Sequence, residues 1–286
     1  MPVPNSSDSA LRAMTDDGAF RVVTVRTTES VRRMLAAQSV WGPTAERLGE
    51  LVTGAILVRE TMAPTHRLQG LLRSADGKSR WVADSHPDGG TRGLCTRPDK
   101  DATGSIEGGI LEVVRTLYNG ELHRGVVEVP AGGGMSEAIM TYLQTSEQVA
   151  SMLSVACVLG DDHVIAAGGY LVQLLPEVGR GPLAIMAERL RDFQDIRALL
   201  ANTDAATSPL LEELLYGMPF TRLEEHPLEW KCRCSSVRVM SSLSTLPRTD
   251  LKELIEAGRP IELSCDFCGE KYTVSPHELM GLLDQS

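Results

Sequence analysis

Hydrophobic positions along this chain fall into regions of different period. The run Arg21 to Arg26, with Val22, Val23, Thr24 and Val25 together, reads as a first strand. Val31, Met34 and Leu35 then share one face of a helix expected over Glu29 to Gln38. Pro43 suits the first turn of a longer helix reaching about Met62. In it Leu48, Leu51, Val52, Ala55, Ile56 and Met62 recur at helical spacing, and Gly49 and Gly54 permit close packing, so it is a core element. Residues 1–18, being polar, are expected to be flexible.

From His66 to Val129 the period shortens. Strands are expected at Arg67–Leu72, Arg80–Ala83 and Thr91–Cys95, punctuated by Asp76-Gly77 and Asp88-Gly89-Gly90. Ile110–Leu117 and Gly125–Val129 read as a hairpin across Tyr118 to Arg124, and Ser136–Leu143 as a helix. The apolar stretches Val149–Val158 and Val164–Leu175 fit either strands or buried helix. Such mixed order predicts an α+β domain over 19–180 with a largely antiparallel sheet.

Beyond Pro176 the pattern turns helical. Leu183, Met186, Leu190, Phe193, Ile196 and Leu200 form one stripe, opposed by Glu188, Arg189, Arg191, Asp192 and Asp195. Ser208-Pro209 starts a second helix carrying Leu210, Leu211, Leu214 and Leu215, ended by Gly217. With 4 basic and 8 acidic residues from Gly181 to His226 and no strand signal, 181–228 reads as a helical connector whose stripes must dock on something. The module over 229–286 is poorer in apolar residues. It offers short helices around Val237, Met240 and Leu243 and around Leu251, Leu254 and Ile255, the latter capped by Thr249 and stopped by Gly258. An alternating strand Pro260–Ser264 with partner Lys271–Val274, and a capping box Ser275-Pro276-His277-Glu278, complete it.

Composition changes this picture in two ways. A net charge of −10 with no Lys/Arg-rich block argues against nonspecific nucleic-acid binding. No apolar run is long enough to span a bilayer and no signal pattern opens the chain, so no membrane partner is expected and the compartment is read as cytoplasmic. Six cysteines in that compartment point to metal or redox chemistry rather than a disulfide framework.

Four of them, Cys232-Arg233-Cys234 and Cys265-Asp266-Phe267-Cys268-Gly269, form two short-spaced pairs of the kind an all-thiolate zinc centre needs. Three readings follow. The pairs could be an inert zinc staple for a module with a small core, or a nucleic-acid-binding ribbon, although 7 basic against 9 acidic residues from Pro227 onward disfavour that. They could also be a redox switch, because the thiolate is both the zinc ligand and the nucleophile toward oxidants. Lys231 and Arg233 beside the first pair would favour the thiolate.

The context Glu229-Trp230-Lys231-Cys232-Arg233-Cys234-Ser235 with Cys265-x-x-Cys268-Gly269 resembles redox-regulated chaperones of the thirty-three-kilodalton heat-shock protein family. Gly125-Val126-Val127, Tyr142-Leu143-x-x-Ser146-Glu147-Gln148 and Ala167-Gly168-Gly169-Tyr170-Leu171-Val172-Gln173-Leu174-Leu175-Pro176 are similar to family landmarks in the same order. The resemblance implies an ATP-independent holdase, not an enzyme, inactive while one zinc ion sits on Cys232, Cys234, Cys265 and Cys268. It implies that oxidation forms Cys232–Cys234 and Cys265–Cys268 disulfides, releases zinc, unfolds the connector and produces a homodimer that holds unfolding client proteins. Leu183, Met186, Leu190, Phe193, Leu211, Leu214 and Leu215 are the client-binding candidates. Two stretches depart from the family: Arg67–Trp81, where a Gly-rich polar strand is usual and the sheet's edge would differ, and Ser235-Ser236-Val237-Arg238 after Cys234. The alternative is a constitutive protein-interaction module with purely structural zinc.

Other motifs fall away. Gly77-Lys78-Ser79 looks like the end of a phosphate-binding loop, but the glycine required five residues earlier is Leu72. Gly132-Gly133-Gly134 lacks dinucleotide spacing, and Asp161-Asp162-His163 has no accompanying nucleophile motif. His226 and His277 could substitute as ligands, yet four cysteines already fill a tetrahedron. Cys95 and Cys157, in apolar stretches, are expected to be inert buried thiols.

Overall fold

In the computed structural model, which describes residues 7–96, 104–175, 181–203 and 206–283, the first element is a strand where flexibility was expected. Ser9–Thr15 forms β1, with Ala10, Leu11 and Ala13 buried. Asp8 anchors its start. The buried carboxylate accepts the amides of Glu29 and Ser30 at 3.1 and 2.6 Å, capping the open end of helix α1 (Thr28–Gln38), and pairs with Arg26 at 3.1 Å. The flexible stretch foreseen over 1–18 is therefore corrected for its described part; residues 1–6 lie outside the described residues.

The chain divides into two compact units, Met1–Lys231 and Cys232–Ser286. In the first, β1 is followed by β2 (Phe20–Arg26), α1 and helix α2 (Pro43–Arg59). Helix α2 is buried along almost its whole length, because it packs against strands of two different sheets. Gly49 is needed there: a β-carbon would come within 2.6 Å of Cys157 Sγ. One sheet has six strands: β3 (Arg67–Arg73), β4 (Arg80–Ser85), β5 (Gly90–Cys95), β6 (Ile110–Thr116), β7 (Leu122–Glu128) and the short β11 (Glu229–Trp230). Their order is β11-β5-β4-β3-β6-β7, antiparallel except for β11 on β5. Arg67–Trp81 thus lies inside the sheet, not at its edge.

Helix α3 (Met135–Thr145) leads to β8 (Ser151–Leu159) and β9 (Val164–Leu174), which settles those two apolar stretches as strands. They are continuously apolar because their sheet, ordered β10-β1-β2-β9-β8 with β10 at Phe220–Pro227, is covered on both faces. Val23, Val25, Leu153, Leu171 and Cys157 face the core with α2, while Phe20, Val22, Ala156, Tyr170 and Val172 face the other way.

That second face carries the connector. It is not one stripe on one helix but α4 (Gly181–Arg189), a 3₁₀ turn (Leu190–Phe193), α5 (Arg197–Thr203) and α6 (Thr207–Leu214). Helix α6 begins at Thr207, one residue before the expected cap at Ser208. Met186, Leu190, Ile196, Leu200, Leu210, Leu211, Leu214 and Leu215 are buried on the sheet, with Leu183 and Phe193 partly buried beside them. The connector was expected to stay helical to 228, but Phe220–Pro227 is strand β10, paired antiparallel with β1. Its side chains are mostly exposed, so its pairing rests on backbone hydrogen bonds that leave no apolar alternation to read.

The second unit holds α7 (Ser236–Leu243), α8 (Arg248–Glu256), the antiparallel hairpin β12 (Ile261–Ser264) and β13 (Lys271–Val274), and α9 (Pro276–Leu283). Glu278 and Ser275 form the expected capping box of α9. Its buried apolar residues are Leu243, Leu251, Val274 and Leu279. Among the described residues, no helix of either unit is long and apolar enough to cross a membrane.

Candidate metal centre

The short spacings of the two cysteine pairs are converted into one site by two local structures. Cys232 and Cys234 lie in the extended segment that Ser235 ends by capping α7, its side chain accepting the Arg238 amide at 3.3 Å. Cys265 and Cys268 occupy the loop of the β12–β13 hairpin. The Cys265 amide donates to Glu270 O and the Gly269 amide to Cys265 O, each at 2.8 Å. Gly269 takes φ +75°, a left-handed turn that a side chain would strain, which is why glycine follows the second pair.

All four Sγ atoms lie within 4.8 Å of one another. Cys232 Sγ is 3.6 Å from Cys265 Sγ and Cys234 Sγ is 3.5 Å from Cys268 Sγ, so each motif's sulfurs sit against the other's. A tetrahedron with zinc–sulfur bonds of about 2.3 Å has edges of about 3.8 Å. The donor set and its spacing fit a tetrahedral thiolate-loving ion, and all four cysteines are free thiols, half-buried. Burial, then the sulfurs of Cys232, Cys234 and Cys265, push the Cys268 thiol above its ordinary range, against one backbone hydrogen bond near Glu270. Sulfurs packed this closely resist ionisation unless a cation joins them. The Tyr272 hydroxyl is raised as well, first by its hydrogen bond with Cys234 and then by burial.

Other candidates take ordinary structural places. The Lys231 ammonium is engaged by Glu229 at 3.1 Å and Asp88 at 3.4 Å, and these carboxylates raise its pKa. His226 lies on β10 with Nε2 3.3 Å from the buried Glu60, and His277 is exposed on α9. Gly77-Lys78-Ser79 is the hairpin turn between β3 and β4, where Asp76 accepts the Lys78 amide. Gly134 precedes α3 and donates its amide to Glu137 at 2.8 Å. Asp161-Asp162-His163 is an exposed turn between β8 and β9. Cys95 is 7% and Cys157 0% exposed. Burial, then Glu50, raises the Cys157 thiol, which makes it a poor nucleophile.

A family model described as Hsp33 protein matches residues 8–275. The chain belongs to the Hsp33 family. Similar curated relatives include the 33 kDa chaperonin of Syntrophotalea carbinolica, 31% identical over 96% of this chain and 99% of that one. The 33 kDa chaperonin of Bacillus subtilis is 28% identical over 98% and 99%. The crystal structure of the 33 kDa chaperonin (heat shock protein 33 homolog) of Thermotoga maritima superposes with a TM-score of 0.84 at 23% identity, covering 98% of this chain and 99% of that one. At that identity the last match speaks for the fold. Membership supports a chaperone role for this Hsp33-family chain, and in it the four clustered cysteines are positioned to hold a metal ion compatible with zinc.

Proposed function

We propose that this chain is a redox-regulated, ATP-independent holdase of the cytoplasm, where a reducing environment keeps its thiols free. The observation that carries the reading is the gathering of four sulfurs within 4.8 Å in a unit with four buried apolar side chains among its described residues. Cys232, Cys234, Cys265 and Cys268 would hold one zinc ion. When bound, the ion keeps the sulfurs as thiolates and cross-links the hairpin loop to the segment before α7.

The chain's own chemistry then follows. A thiolate attacks peroxide to give sulfenic acid and hydroxide. A neighbouring thiolate displaces the sulfenic hydroxide and forms a disulfide, so two thiolates lose two electrons and peroxide is reduced to two hydroxide ions, which take protons from the solvent to become water. Pairing within each motif, Cys232 with Cys234 and Cys265 with Cys268, takes one peroxide per disulfide and so two peroxides to remove all four ligands. Unit 2 then loses its cross-link, and the connector leaves the sheet. Its apolar face, including Leu183, Met186, Leu190, Phe193, Leu211, Leu214 and Leu215, becomes available to unfolding clients together with the sheet face it covered. Oxidised chains pair as homodimers. No nucleic acid and no membrane enters this scheme, and no enzymatic turnover does.

The test uses the full chain loaded with zinc under reducing conditions, then treated with peroxide at elevated temperature. Release of one zinc per chain, together with suppression of aggregation of an unfolding client, is the expected result. Zinc retained with client holding unchanged would instead favour a constitutive interaction module with structural metal.

A further inference from the structure

Two hydroxyls of the sheet meet the interruption of the connector. In an unbroken helix the carbonyls of Phe193 and Gln194 would accept the amides four residues on. The Arg197 amide is instead taken by the Asp195 carboxylate at 3.1 Å, where α5 starts afresh. The Phe193 carbonyl freed by that diversion, and the Gln194 carbonyl after it, turn to the sheet. Tyr170 donates its hydroxyl to Phe193 O at 3.1 Å, and Ser154 donates to Gln194 O at 2.8 Å. Tyr170 and Ser154 are directly opposite in the β8–β9 ladder and each is 2% exposed, so both donors are fixed in one place on a rigid surface. Burial raises the Tyr170 hydroxyl above its ordinary range and keeps it a donor.

The apolar contacts of α4 and α5 hold them on the sheet but are not directional, so they fix the backbone's position less sharply. Hydrogen bonds to two carbonyls are directional and fix it more sharply. Breaking them also leaves acceptors that the helix no longer satisfies until water enters. We infer that Tyr170 and Ser154 are positioning residues whose grip on the connector backbone sets the threshold at which the connector leaves the sheet. This rests on connector release being the activating step proposed above.

The test compares the reduced, zinc-loaded full chain with Tyr170→Phe, Ser154→Ala and the double variant. Hydrogen exchange is followed by mass spectrometry as temperature rises. Each single change removes one hydrogen bond and leaves the packing volume nearly intact. It is expected to speed exchange of connector amides between 186 and 200 by about fivefold or more, and the double variant by more than either. Exchange in β3, β4 and α2, and the zinc content, should stay at their starting values. A double variant with unchanged connector exchange overturns the inference. So does a rise spread evenly over the whole first unit, which would mark the two hydroxyls as general core residues. Faster connector exchange without a lower peroxide and temperature threshold for client holding would leave the grip standing and count against the proposed function instead.

Discussion

Both the connector and the C-terminal unit are built from short amphipathic helices, and they differ in what those helices lie on. Helices α4 to α6, with the 3₁₀ turn and Ile196 between them and Leu215 after them, bury eight apolar side chains against a sheet face that offers Phe20, Val22, Tyr170 and Val172. The unit beginning at Cys232 buries Leu243, Leu251, Val274 and Leu279 among its described residues. Four such side chains contribute about 6–12 kcal/mol. That reaches only the lower part of the roughly 10–16 kcal/mol that a structural zinc site supplies in small modules. Burial keeps the connector in place, whereas the small unit would owe its cohesion to the ion that its four sulfurs are positioned to hold. In the scheme proposed above, oxidation would therefore reach the second directly and the first only as a consequence.

The largest effect should come from breaking the sulfur side of this comparison. Cys265→Ser removes one ligand, and the loss in zinc affinity should exceed the 10–100-fold typical of changing a residue outside the ligand shell. Amides of β12, β13 and α7 should lose protection from exchange, while those of α2, β8 and β9 keep theirs. A Cys265→Ser chain that still holds one zinc with a protected second unit would show that apolar burial suffices there.

Next in size is the apolar side. Leu211 is 0% exposed in the cluster between α6 and the sheet. Leu211→Ala should weaken connector docking by about 2–5 kcal/mol. The readout is protection of connector amides, with zinc affinity measured in parallel and expected to hold. If zinc affinity fell by a similar factor, the two regions would not rest on separate supports.

Much of this was legible because its signals are local. Helices α1, α2 and α3 announce themselves by period, β3 to β6 by alternation and turn residues, and α9 by its capping box. The four cysteines were legible as a set because each pair is short-spaced and a strand of alternating residues feeds the second. What escaped depends on groups far apart in sequence. Strand β1 carries only Ala10, Leu11, Ala13 and Met14 as an apolar signal, and it is held by β2, by β10 and by Asp8 reaching α1. Strand β10 faces solvent with most of its side chains, so nothing in its pattern distinguishes it from a polar linker. The break in the connector was hidden for a related reason: Asp195 reads as one more solvated charge, and its effect on the Arg197 amide needs coordinates. The same holds for Asp84, 0% exposed on β4, which gathers Arg67 from β3, Arg92 from β5 and His86 from just past the end of its own strand.

The smallest effect tests whether charge tunes the connector side alone. Glu50 on α2 has a side chain 3% exposed, paired with Arg197 of α5 at 3.1 Å and with Arg47. Burial raises its carboxyl from the ordinary 4.5 to about 7; Arg47 and Arg197 oppose the shift, and Glu46 adds to it. Between those two values the folded chain holds a proton that the unfolded chain has released. The associated stability is fully present below about pH 4.5 and is lost as pH rises through about 7, by up to about 3 kcal/mol. Glu50→Gln keeps the shape and an acceptor for the two arginines but cannot ionise. Denaturant melts of the first unit should show this variant matching the parent near pH 5, exceeding it by about 1–3 kcal/mol at pH 8, and losing the slope between. Exchange of connector amides should follow the same trend, because Arg197 belongs to α5, while β12 and β13 should not respond. A variant less stable than the parent at pH 8 would mean that the two ion pairs outweigh the cost of burying the charge. The connector would then be held by electrostatics as well as by burial, and the contrast with the C-terminal unit would have to be redrawn.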